Sequence, residues 1–197
     1  MGRLKTFDVD HALHAAMGAF RARGYQGTSI SDLEGATGLK PGSLYNCFGS
    51  KEALFLAVID RYNRVVVQGR LARHLKGEAP VREIQALFMS TLDEPGGTRL
   101  GCLLTNTAVE FGPGSAAISA KVREGFAILE KAFAAQCRRA KAAGLAAPSL
   151  RPERAAFELL HAYQGFLVLV RFGRGRAELA RLVDDLVKRI LEGGSND

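Results

Sequence analysis

Apolar residues recur along this chain at spacings of three and four, and the alternating apolar and polar runs that build strands are nearly absent. Such a pattern makes helices with one buried face. The first helix is expected from Asp8 or Asp10, either of which could cap it, to about Arg23, with Leu13, Ala16, Met17 and Phe20 facing inward. Gly24 ends it, and Gly27 lies in the following turn. The run Thr28-Ser29-Ile30-Ser31-Asp32 offers a cap to a second, short helix that continues through Leu33 to Thr37. Gly38 stands where a tight turn needs a left-handed backbone. Lys40 and Pro41 open a third short helix, because proline in a first turn lacks only an N–H that has no partner there. That helix ends near Phe48 and Gly49, and Ser50, Lys51 and Glu52 start a longer one towards Arg73.

Breaks rich in Gly, Pro or Ser are expected at residues 77–80, 94–98, 112–115 and 147–149. Between and after them, helices are expected at about 81–92, 101–111, 115–143, 152–171 and 176–192. The fold class is therefore all-α, with about nine helices. A three-helix domain over residues 1–50 is followed by a connector helix over about 51–76 and a larger helical domain over 77–197. The Gly-Gly-Ser-Asn-Asp tail at 193–197 has nothing to bury and is expected to be disordered.

Composition changes this picture little. A chain of 197 residues, 47% hydrophobic and 24% charged, can bury a core without a disulfide or metal staple. Cys47, Cys102 and Cys137 have no CxxC spacing, and no metal or cofactor is expected. Arg3 and Lys5 precede no apolar signal segment, and the longest apolar stretch, 166–170, is far short of the roughly 20 residues that span a bilayer. A cytoplasmic protein without a membrane partner is expected. His11 and His14 share a face but lack a third ligand nearby, so they read as solvated or partly buried.

Charge says more. Residues 1–76 hold 11 Lys+Arg against 6 Asp+Glu, net +5; residues 77–197 hold 16 against 14, net +2. A small basic unit joined to a nearly neutral one suggests that the first part meets a polyanion. The short helices within 31–48 have the spacing of a helix-turn-helix. Leu33 and Ala36 are expected to bury the first of them against Met17 and Phe20, and Leu44 and Phe48 to anchor the second. The outward face of the second is then small and polar, which suits a major groove, with Lys40, Gly42, Ser43, Asn46 and Cys47 as candidates.

These residues resemble a known family. Phe20-Arg21-Ala22-Arg23-Gly24-Tyr25, Thr28-Ser29-Ile30, Gly38-Leu39-Lys40-Pro41-Gly42-Ser43-Leu44-Tyr45 and Phe48-Gly49-Ser50-Lys51-Glu52-Ala53-Leu54 are similar, in order and spacing, to the signature of TetR-type transcription regulators. The resemblance covers about residues 8–60. It implies that Thr28 and Tyr45 touch phosphates. It also implies that Lys51, at a helix N-terminus, holds one too. Lys40, Gly42 and Ser43 would approach bases. Cys47 departs from the commoner aromatic or His.

The resemblance further implies an inducer held among helices four to eight and a homodimer. Ligand candidates are Phe88, Met89, Phe126, Tyr163 and Phe166, with Asn106, Thr105 and the Tyr163 hydroxyl as polar contacts. Cys102 has two readings. At an expected helix start near Arg99 its thiolate would be favoured, and Gly101-Cys102-Leu103-Leu104-Thr105-Asn106 resembles a branch that senses quinones, aldehydes or oxidants. The other reading is a small buried apolar residue. Cys137, mid-helix, reads as inert. For the dimer, Ala155, Leu159, Ala162 and Phe166 form one stripe, and Leu179, Leu182, Val183, Leu186 and Ile190 another. Two such helices from each subunit close a four-helix bundle around a two-fold axis, the alternative being a face buried within one chain.

The expected function is a ligand-responsive repressor, released from an inverted-repeat operator in double-stranded DNA by a small apolar or electrophilic effector. One alternative is a DNA-binding regulator without an inducer. The other, a hydrolase using Cys102 and His161, lacks any local catalytic signature, so the chain is expected not to be an enzyme.

Overall fold

Ser29 begins its helix through a reciprocal pair of bonds: its hydroxyl oxygen accepts from the Asp32 N–H (3.1 Å), and Asp32 Oδ2 accepts from the Ser29 N–H (2.8 Å). A serine also caps the helix that follows Ser50 in the computed structural model, which describes residues 6–93 and 99–192. Arg3, Lys5, the expected loop at 94–98 and the tail at 193–197 lie outside the described residues.

Among those residues every regular element is helical: α1 (Thr6–Arg23), α2 (Ile30–Thr37), α3 (Pro41–Phe48), α4 (Lys51–Arg61), a π-helical segment (Tyr62–Gln68), α5 (Gly69–His74), α6 (Pro80–Met89) with a 3₁₀ turn (Ser90–Leu92), α7 (Leu103–Phe111), α8 (Ala116–Ala142), α9 (Pro152–Phe172) and α10 (Arg176–Leu191). The stretch from Lys51 to His74 is continuous, so it matches the single connector helix expected from the sequence, and the helices among the described residues number nine. α1 begins at Thr6, ahead of both acidic residues expected to cap it.

The chain forms two compact units: Met1–Val66 with Cys102–Glu124, and Val67–Gly101 with Gly125–Asp197. This division differs from boundaries at 50 and 77, since α7 and the first turns of α8 join the N-terminal helices.

In the first unit α1 packs on α2, α4 and α7, and α3 bridges α2 and α4. Leu13, Ala16, Met17 and Phe20 all face inward, as the spacing on α1 requires. Phe20 and Phe55 meet edge to face at 4.7 Å, and Tyr25 lies 5.0 Å from Phe55 and 5.2 Å from Phe111. Ala36 is exposed, contrary to the expectation from sequence, and Thr37 is buried beside Leu33 instead. The four-residue step keeps 33 and 37 on one face, and the Thr37 hydroxyl donates to the Leu33 carbonyl (2.7 Å), which makes its burial cheap. Leu44 is buried and Phe48 half-buried.

In the second unit α10 packs on α6 and α9, and α5 on α6. Its centre is aromatic: Phe88 lies 5.0 Å from Tyr163, 5.4 Å from Phe166 and 6.2 Å from Phe133. Glu83, in the first turn of α6, accepts from the N–H groups of Gly77 (2.7 Å), Glu78 (3.0 Å) and Ala79 (3.3 Å) and from Gln136 Nε2 (3.0 Å). Burial pushes the Glu83 carboxyl up, but these donors outweigh it and hold it below the ordinary value.

Candidate nucleic-acid interface

Two glycines set the reading geometry. Gly38 (φ 70°) turns the chain after α2, its N–H donating to the Glu34 carbonyl, and Gly49 (φ 81°) does the same between α3 and α4, its N–H donating to the Tyr45 carbonyl. α3 then shows solvent one face of Gly42, Tyr45 and Asn46, with Lys40 exposed at its N-cap and Ser43 half-buried. Leu44 points the other way, into the core. Directly after α3, the Ser50 hydroxyl oxygen caps α4 by accepting from the Ala53 N–H (3.0 Å). Lys51 is the first residue of that helix, and its ammonium lies 4.3 Å from the centre of the Tyr25 ring. Burial first, then the Glu52 and Glu110 carboxylates, hold the Tyr25 phenol above its ordinary value, so the ring under Lys51 stays neutral.

One residue named from sequence behaves differently from expectation. Thr28 is fully buried, and its hydroxyl donates to the Gly24 carbonyl (2.6 Å). It closes the turn after α1 and has no surface to offer a phosphate. Lys40 is exposed but already paired, Nζ to Glu34 Oε1 at 2.7 Å, a contact that raises its pKa. With the lysine side chain 84% accessible, that pair is water-screened and readily exchanged for another acceptor.

Sequence reasoning passed over Glu110. From the last turn of α7 its carboxylate accepts from the Tyr25 N–H (2.8 Å) and the Gln26 N–H (2.6 Å). No local signal could have shown this contact, because 84 and 85 residues separate the partners. Gly24 gives the carboxylate its room: its φ of 75° suits glycine, and a Cβ there would come within 2.8 Å of Glu110 Oε2.

The ligand candidates divide between the units. Phe88, Tyr163 and Phe166 meet in the second, with Met89 and Phe126 half-buried there. Arg70 donates to the Tyr163 hydroxyl (3.3 Å), and the buried Gln136 Oε1 has no hydrogen-bond partner. Cys102, Thr105 and Asn106 belong to the first unit. Cys102 is the N-cap of α7 and is 4% exposed, which favours its packing reading. Burial pushes the Cys137 thiol up to about 11 and makes it inert.

The stripes expected to pair two subunits prove mostly internal. Ala155, Leu159, Phe166, Leu179, Val183 and Ile190 are buried within the second unit. Ala162 and Leu186 are half-buried, and only Leu182 is exposed. A different row faces outward on α9: Phe157, His161, Val168 and Phe172, the last 79% exposed. Beside it runs an open groove of about 740 Å³ lined by Arg154, Phe157, His161, Leu186 and Arg189 among others.

Comparison with known proteins agrees with this geometry. Residues 12–58 match the family described as bacterial regulatory proteins of the tetR family, and residues 61–186 match the tetracyclin repressor-like C-terminal domain. The chain is 31% identical over 189 residues to the uncharacterized HTH-type transcriptional regulator YezE of Bacillus subtilis, covering 93% of this chain and 95% of that one. It is 35% identical over 133 residues to the HTH-type transcriptional repressor ComR of Escherichia coli, covering 66% of this chain and 63% of ComR. A solved structure of the TetR family regulator CifR, a cysteine mutant complexed with 26-bp double-strand operator DNA, superposes with a TM-score of 0.82 at 28% identity, over 95% of this chain and 98% of that one. None of the described helices is long and apolar enough to cross a membrane. Members of this family regulate transcription and are not enzymes, which disposes of a hydrolase built on Cys102 and His161. The chain belongs to the TetR family and is a DNA-binding transcriptional regulator.

Proposed function

We propose that this regulator is a cytoplasmic homodimeric repressor that grips an inverted-repeat operator and is released by a small, largely apolar effector. The single observation that carries the DNA reading is the exposed polar face of α3 set against the capped N-terminus of α4. Lys51 and Tyr45 take phosphates, while Lys40, Gly42, Ser43 and Asn46 meet base edges. The N-terminal helices up to Phe48 read the DNA, the helix from Lys51 to His74 continues from them, and the unit of Val67–Gly101 and Gly125–Asp197 serves the effector and the dimer. Two identical heads related by a two-fold axis require inverted half-sites.

The outward row Phe157, His161, Val168 and Phe172 on α9, with Leu182 and Leu186 on α10, forms the seam between subunits. The aromatic cluster of Phe88, Tyr163 and Phe166, with Met89 and Phe126 of the same unit as further candidates, accepts the effector. The orphan Gln136 Oε1 suits one hydrogen-bond donor on it. A second reading keeps Cys102 as a target for electrophiles with Asn106 beside it. It draws on the place of Cys102 at the α7 N-cap and on the substituted cysteines of the CifR complex.

The test is to select duplexes from a random pool with the wild-type protein and to measure binding across a salt series. Lys51→Ala is expected to weaken all selected sequences alike and to lower the salt slope by roughly one. An unchanged slope would remove Lys51 from the phosphates. Operator release by an apolar compound in wild type and Cys102→Ser alike supports the reversible effector. Release by a quinone or aldehyde in wild type only would move the assignment to Cys102.

A further inference from the structure

We propose that Glu110 is a positioning residue for operator binding, acting through Tyr25 on Lys51. The inference rests on the assignment of Lys51 to a phosphate. The Glu110 carboxylate takes two consecutive N–H groups, Tyr25 and Gln26, at the point where the chain leaves α1 for α2. Nothing in the turn itself offers those N–H groups an acceptor of equal strength, since charge-assisted bonds are about twice as strong as neutral ones. Gly24 leaves room for this approach: a Cβ there would come within 2.8 Å of Glu110 Oε2, so the carboxylate would have to shift.

The turn so fixed carries the Tyr25 ring. Phe55 and Phe111 hold that ring from two sides, and the Lys51 ammonium rests over it at 4.3 Å. A lysine at a helix start has four rotatable bonds, and a flexible ammonium loses entropy when it settles on a phosphate. Seated on Tyr25, Lys51 has part of that ordering done before DNA arrives. Glu110 therefore sits at one end of a three-residue relay, on α7, and Lys51 at the other, on the DNA-facing end of α4. The position of α7 becomes a determinant of operator affinity, although α7 carries none of the residues assigned to DNA.

The test is a double-mutant cycle on full-length protein, with duplexes selected by the wild type as the probe and binding read across a salt series. Glu110→Ala is expected to weaken binding about tenfold and to move the salt slope towards that of Lys51→Ala. In the Lys51→Ala background the same change is expected to cost much less, because the relay has already lost its end. Equal cost in both backgrounds, or wild-type affinity for Glu110→Ala, would overturn the proposal while leaving Lys51 on its phosphate. A Lys51→Ala protein with an unchanged salt slope would overturn both. Should Glu110→Ala fail to fold, Glu110→Gln, which keeps the size and one acceptor, enters the same cycle under the same criteria.

Discussion

The two halves of this molecule are built from sequence signals of different range. In the DNA-reading unit, Ser29, Gly38, Pro41, Gly49 and Ser50 each act within three or four residues of themselves, so spacing alone fixes both element and orientation. In the other unit, α9 is long and apolar on more than one side. α9 buries eight residues yet still shows Phe157, Val168 and Phe172 to solvent. Periodicity says that such a helix exists but not which of its stripes turns inward. Chemistry that sits at helix ends is therefore legible, and chemistry that sits on helix flanks needs the fold.

The sharpest way to break this contrast is to hollow out each core in turn and compare the losses. Phe20→Ala is expected to cost about 3–5 kcal/mol and Leu159→Ala about 2–5 kcal/mol, measured by denaturant unfolding. The two differ in consequence: Phe20→Ala takes operator binding with it, whereas Leu159→Ala leaves the association state unchanged, because its stripe is internal. Loss of dimer in Leu159→Ala would restore the seam drawn from periodicity.

The outward row answers next. If the proposed seam is right, Val168→Arg places an unpaired charge in it and is expected to raise the dimer dissociation constant about a hundredfold or more. Sedimentation should then show folded monomers. An intact dimer would exclude Val168 from the seam.

A smaller effect probes the local signals. Ser29→Ala removes the α2 cap and is expected to cost about 1 kcal/mol. Its partner has a pH signature. The Ser29 hydroxyl, then the Ser29 N–H, then Arg23 pull the Asp32 carboxyl from 3.8 down to about 2. Because the folded value lies below the unfolded one, the contribution of Asp32 is present above 3.8 and lost as pH falls towards 2. The stability gap between wild type and Asp32→Asn should close across that window. A gap that stays constant would mean that the cap works without its charge.

How far the sequence could be read obeys the same division. The helices, the inner face of α1 and the exposed polar side of α3 were all legible. Ala36 and Thr37 were exchanged because both are small and only the packed face separates them. Thr28 was carried to a phosphate by resemblance, while its burial depends on the Gly24 carbonyl it meets. Glu110 was invisible because a clamp across 84 residues leaves no periodicity.

The three thiols differ in a way that can be put to experimental use. Cys102 and Cys137 are buried, and Cys47, on α3 itself, is half-buried and alone within reach of a bulky reagent. A maleimide should thus label each chain once, without engineering, at the helix proposed to enter the groove. The alkylation half-life then serves as a footprint of that proposal: bound duplex is expected to shield Cys47 and slow the reaction, and release to restore it. The same arithmetic guards any electrophile experiment, since an adduct counted by mass must first be shown to sit on Cys102 and not on Cys47.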